Sequence, residues 1–124
     1  IGITPFRSML AHLLATGDKR DIVLIYINRQ VSEVVYRDLF EQARAKLGVK
    51  VVYTLTKPDA APPAWNGRLG RIGSQAIMEE IPDFAERLFY VSGSHDMVAT
   101  YQRILSGLEL RDEQVVTDYF PGLA

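Results

Sequence analysis

Short runs of β-branched and aromatic residues alternate along this chain with amphipathic stretches of helical spacing, which is the pattern of parallel strands joined by crossover helices. Residues 21–28, DIVLIYIN, form a nearly continuous apolar run, as a strand covered on both faces requires. Residues 49–55, 87–92 and 114–117 read as three further strands. Between them, residues 5–15, 31–47, 74–81 and 96–106 read as helices, with Gly17, Gly48 and Pro82 as stops and Asp96 as a cap. In residues 31–47 the apolar set Val31, Val34, Val35, Leu39, Ala43 and Leu47 falls near helical spacing, which predicts one helix. The class is α/β.

At 124 residues and 48% hydrophobic, the chain makes one globular domain spanning 1–124, with no room for a second. A net charge of −1 argues against a nucleic-acid or membrane-surface role, since both need a positive field. Cysteine is absent, which excludes disulfides and thiolate metal sites, and with two histidines no metal site is expected. No apolar run approaches the roughly 20 residues of a membrane span, so a cytoplasmic location is the default expectation.

Chemistry concentrates at glycine turns. Residues 1–9, IGITPFRSM, read as the second half of a glycine-rich dinucleotide loop entering a helix: Thr4 suits the N-cap, Pro5 suits the first turn, and the amides above Gly2 and Ile3 face an anion. An ordinary strand-to-helix turn fits the same residues. No strand precedes the loop, so the chain is expected to be a fragment that begins within the motif. A second turn, Ser92-Gly93-Ser94, follows another strand, and in a doubly wound sheet such turns share the carboxyl edge where ligands bind. Residues 57–73 carry three prolines and three glycines without periodicity, and a loop of this kind is expected near a ligand. Ser94, His95 and Asp96 do not form a triad, because three successive side chains diverge.

In order, GITPFRSM at 2–9, IYINR at 25–29, WNGRLGRI at 65–72, YVSGSHDMV at 90–98 and TDYFPG at 117–122 resemble the nicotinamide-binding domain of the ferredoxin-NADP reductase superfamily. The resemblance spans nearly the whole chain and implies a three-layer α/β/α sandwich whose central first strand is missing. It implies that Gly2, Ile3, Thr4 and Pro5 embrace a pyrophosphate, and that Ser92, Gly93, Ser94 and Met97 lie beside the nicotinamide. Ser92 stands where family members often carry Cys, and Ser94 where they carry Pro. Arg29, Thr56 and Lys57 would meet the 2′-phosphate of NADP, which is favoured over NAD; Arg71 would meet phosphate or tether its loop, and Phe120 would lie near a flavin ring. The implied activity passes hydride between NAD(P)H and FAD bound by an upstream flavin domain, then electrons to a one-electron carrier such as ferredoxin or an iron-sulfur or haem centre. The alternative is a non-catalytic nucleotide-binding or sensing α/β module. Loss of the central strand would leave strand edges unpaired, so dimerisation of the fragment is a further expectation.

Overall fold

The computed structural model describes residues 2–57 and 61–120, without the side chains of Tyr119 and Phe120. Its elements run α1 (Thr4–Thr16), β1 (Val23–Asn28), α2 (Arg37–Leu47), β2 (Lys50–Leu55), β3 (Arg68–Leu69), α3 (Ser74–Glu80), β4 (Phe89–Ser94), α4 (His95–Gly107) and β5 (Val115–Phe120). Among the described residues all strand pairing is parallel, in the order β1-β2-β3 in one sheet and β4-β5 in the other. The class is therefore α/β. The chain divides into two compact units, residues 6–71 and residues 1–5 with 72–124. Among the described residues no helix is long and apolar enough to cross a membrane, and no group of three or more metal-ligating side chains gathers.

In the unit of residues 6–71, β2 is buried at every position after Lys50, as expected of a strand covered on both faces. Helix α2 buries Phe40, Ala43 and Leu47, at spacings of three and four residues. Phe40 meets Tyr26 of β1 edge-on, with ring centroids 5.6 Å apart. Burying a side chain of that size stabilises the unit by about 1.5–3 kcal/mol. Gly48 then closes the helix at φ 72°, its N–H donating to the Ala43 carbonyl.

Residues 31–47 do not form one helix. A single 3₁₀ turn covers Val31–Glu33, Val34 is extended, and Tyr36 adopts φ 60° immediately before α2. The β-branched Val34 and Val35 lose rotamer freedom in a helix, and the Val35 N–H donates instead to the Tyr26 hydroxyl at 3.1 Å. The hydrogen bond that helix would have used is thus made to the neighbouring strand.

In the other unit, β4 and β5 pair from Phe89 and Val115 to Ser94 and Phe120. Helix α4 lies along both strands and buries Val98 and Leu105. Tyr101 donates its hydroxyl to the Ile72 carbonyl at 3.1 Å, tying α4 to the segment before α3. All four strand boundaries differ from expectation, with β4 starting at Phe89 instead of residue 87. Strand β4 continues through Gly93 and Ser94, and β5 begins after Gln114 and runs on to Phe120. Gln114 sits in a 3₁₀ turn because its side chain is spent there: it accepts from the Arg111 N–H and donates to the carbonyls of Ala85 and Arg87. Asp96 lies in the first turn of α4 and does not cap it; the cap is Ser94, whose Oγ accepts the Met97 N–H at 3.2 Å. Likewise Thr4 is the first residue of α1 and not its cap.

Candidate functional site

The two glycine turns that lie ninety residues apart in sequence form one piece of structure. A Cβ placed on Gly2 would stand 2.6 Å from the Ser92 carbonyl oxygen and 2.8 Å from the Gly93 Cα, both backbone atoms. Only hydrogen fits there, so glycine is required by close approach and not by an unusual φ. A Cβ on Gly93 would in turn overlap the sulfur of Met97. Gly2, Ser92, Gly93, Ser94 and Met97 are therefore brought together, and the backbone of Phe120 joins them through its pairing with Ser94; the Phe120 side chain lies outside the described residues.

Two properties bear on the chemistry of this corner. Ile3 is buried, with 7% of its surface exposed, and α1 has no acidic residue in its first turn. The leading amides of that helix have no intrahelical acceptor and carry a partial positive charge. Secondly, the Ser92 side chain is 7% exposed, and its Oγ is a buried group with no hydrogen-bond partner. A hydroxyl in that state costs about 1–3 kcal/mol of desolvation unless something satisfies it. The close backbone approach at Gly2 and the unpartnered Ser92 hydroxyl thus lie in one corner, where the hydroxyl can accept a polar partner.

The unit of residues 6–71 has its own carboxyl edge. There the Thr56 N–H donates to the Asn28 carbonyl at 2.9 Å and the Lys57 N–H to the Arg29 carbonyl at 3.1 Å. Pairing of β1 and β2 thus extends past both strands and sets Arg29 and Lys57 side by side. Arg29 is paired with Glu33 at 3.1 Å, yet its side chain remains 77% exposed, and Lys57 is exposed. Arg71 is exposed beyond Gly70, whose φ is 87°.

Sequence reasoning missed a cluster behind that edge. The Arg37 guanidinium lies 5.0 Å from the Tyr53 ring centroid and 5.8 Å from that of Trp65. Tyr53 donates its hydroxyl to Glu41 at 2.7 Å, and burial together with that carboxylate pushes its pKa up to about 12. Trp65 Nε1 donates to the Arg68 carbonyl at 3.2 Å. A Cβ on Gly67 would strike the Tyr53 carbonyl. Asn28 Nδ2 and Thr54 Oγ1 are also buried without a partner. The WNGRLGRI motif gave a signal for Trp65, whereas nothing in the spacing of Arg37 or Tyr53 did.

Residues 1–103 match the family model of the oxidoreductase NAD-binding domain. The chain is 28% identical over 118 residues to the NADPH nitrate reductase of Leptosphaeria maculans, covering 93% of this chain and 13% of that protein. It is 27% identical over 115 residues to NADH-cytochrome b5 reductase 1 of Aspergillus terreus, covering 86% of this chain and 38% of that protein. Its fold matches the cytochrome b5 reductase domain of Ulva prolifera nitrate reductase with a TM-score of 0.74 and 19% identity, over 94% of this chain and 45% of the other. The chain thus spans less than half the length of each of these proteins. With a parallel α/β fold, a glycine corner at the head of α1 and a family match over residues 1–103, the chain belongs to the oxidoreductase NAD-binding domain family, the NAD(P)-binding part of ferredoxin reductase-like flavoproteins.

Proposed function

We propose that this chain holds NAD(P)H with its diphosphate on the backbone of Gly2, Ile3, Thr4 and Pro5 and its nicotinamide beside Ser92, Gly93, Ser94 and Met97, so that a flavin can be reduced. The observation that carries the reading is the Ser92 hydroxyl, buried and unpartnered, beside a backbone approach that excludes even a Cβ on Gly2. NAD(P)H supplies the hydride when bound. The protein's own task is position and electrostatics: α1 stabilises the anion through its amides, Gly93 and Met97 shape the wall, and Ser92 fixes the ring's polar edge. Neither an acid nor a base is needed, since hydride transfer between the two cofactors requires no side-chain proton at Ser92.

Within the unit of residues 6–71, Arg29 and Lys57 stand on neighbouring strand ends, and their charge favours a 2′-phosphate, hence NADPH. The Arg29–Glu33 pair is exposed and worth about 0–1 kcal/mol, so a 2′-phosphate competes with Glu33 for the guanidinium. The name of the cytochrome b5 reductase relative supports a one-electron haem acceptor; FAD in an adjoining domain of the intact protein, and ferredoxin or another iron-sulfur centre as acceptor, rest on the resemblance to ferredoxin-NADP reductases.

Stopped-flow flavin reduction in the intact protein tests the assignment. NADPH reduces the flavin faster than NADH at equal concentration. Ser92→Ala slows reduction about two- to tenfold, the worth of one neutral hydrogen bond, while the ligand-free protein keeps or gains stability because an unsatisfied hydroxyl is removed. Failure of both dinucleotides to bind, or equal rates in Ser92→Ala and wild type, overturns it.

A further inference from the structure

We propose that Arg37 is a positioning residue for nucleotide binding: lying over the Tyr53 and Trp65 rings, it fixes the segment from Trp65 to Leu69 along β2, at the strand edge that presents Arg29, Thr56 and Lys57. The inference rests on the nucleotide reading of that edge. Its basis lies wholly within the unit of residues 6–71.

This segment has a short backbone pairing. It contributes a strand of only two residues, Arg68 and Leu69, paired with Thr54 and Leu55, followed by the Gly70 N–H donating to the Leu55 carbonyl at 2.8 Å. Leu69 is 50% exposed and so adds little apolar burial. What fixes the approach is aromatic and cationic. Trp65 and Tyr53 meet at 6.5 Å between centroids, Gly67 lies so close to the Tyr53 carbonyl that no Cβ fits, and Arg37 faces both rings.

The backbone before Arg37 is arranged to put it there. Tyr36 takes a left-handed φ of 60°, a conformation that costs a bulky residue energy and persists only where its surroundings impose it. The turn starts α2 at Arg37, and the Tyr36 ring is in turn covered by the Arg7 guanidinium at 5.3 Å from its centroid. On the other side, Tyr53 is anchored through its hydroxyl to Glu41, which also holds Arg44, and Arg44 donates to the Val51 carbonyl. The platform for Arg37 is therefore rigid. Ordering a loop before its ligand arrives removes an entropic cost from binding, so the clamp acts on affinity and leaves the hydride step alone.

Trp65 is the sole tryptophan of the chain, which gives the test an internal reporter. The 124-residue chain is titrated with NADPH and with NADH, following Trp65 emission and energy transfer to the reduced nicotinamide. Arg37→Ala weakens NADPH binding about fivefold or more and shifts Trp65 emission toward that of solvated indole. Arg37→Lys keeps the charge but not the planar guanidinium and falls between the two. Flavin reduction at saturating NADPH in the intact protein stays within twofold of wild type for both. If Arg37→Ala fails to fold, Arg37→Lys carries the same comparison. Wild-type affinity in both variants, or a loss at saturation as large as the loss in affinity, overturns the clamp; a wild-type chain that binds neither NADPH nor NADH overturns the nucleotide reading itself.

Discussion

Gly2→Ala is the substitution that tests the corner most directly. The added Cβ begins 2.6 Å from the Ser92 carbonyl oxygen, and ordinary contact starts at 3.4 Å, so the start of α1 and the end of β4 must part by roughly 0.8 Å. Both partners are backbone and neither can rotate away. Overpacking of this kind costs about 1–3 kcal/mol, which at this chain length lowers the thermal midpoint by roughly 4–12 °C. The ligand suffers more, because a hydrogen bond of about 2.9 Å displaced by 0.8 Å is no longer a bond. Loss of charge-assisted amide contacts to a diphosphate, each worth about 1.5–3 kcal/mol, weakens NADPH binding at least tenfold. Gly73→Ala is the matched control, since its Cβ meets nothing within 4 Å and its φ is −104°. Thermal unfolding by circular dichroism and NADPH titration read both effects. A Gly2→Ala chain that melts with Gly73→Ala and binds NADPH as tightly as wild type would refute the close-approach argument.

Other substitutions probe the supports of the site. Ser94→Ala removes the cap of α4 and its bond to the Met97 N–H, and is expected to cost about 1 kcal/mol in urea unfolding; an unchanged midpoint contradicts the capping role. Tyr53 holds its proton more tightly when folded, with a pKa of about 12 against 10.0 for an unperturbed tyrosine, from burial first and the Glu41 bond second. The folded state therefore binds more protons than the unfolded state between these values, and this group's contribution is intact below pH 10 and lost as pH rises toward 12. Comparing Tyr53→Phe with wild type across that window isolates it: the wild type loses stability more steeply than the variant, and parallel curves would show that Tyr53 carries no such term.

The class of fold is legible because strand periodicity survives tertiary context: the apolar runs that became β1 and β2 need only cover on two faces to be read. Errors gathered where a side chain diverts the backbone's hydrogen bonds. Val34 and Val35 match helical spacing, yet the Tyr26 hydroxyl nine residues upstream takes the Val35 N–H and a left-handed Tyr36 resets the chain before α2. Gln114 has the neighbours of a strand residue and instead caps two carbonyls near the start of β4. In both places a polar side chain acting across sequence decides the outcome, and no local pattern encodes that.

At the site, motif residues were legible and their supports were not. Gly2 and Gly93 announce themselves as glycines at turns, but the reason Gly2 excludes a Cβ lies in the backbone of the other turn, and what a Cβ on Gly93 would displace is the flexible Met97 side chain; only the folded chain brings those atoms within reach. Arg37 shows the limit more sharply. In sequence it is one charge in a helix start, indistinguishable from Arg44, and it gains meaning only through Tyr53 and Trp65, sixteen and twenty-eight residues away. A cation over two rings leaves no spacing rule behind, because a cation–π contact demands proximity and not periodicity. Residues that set close backbone approaches are thus written into the sequence as glycine, whereas those that pack around them are written only into the fold.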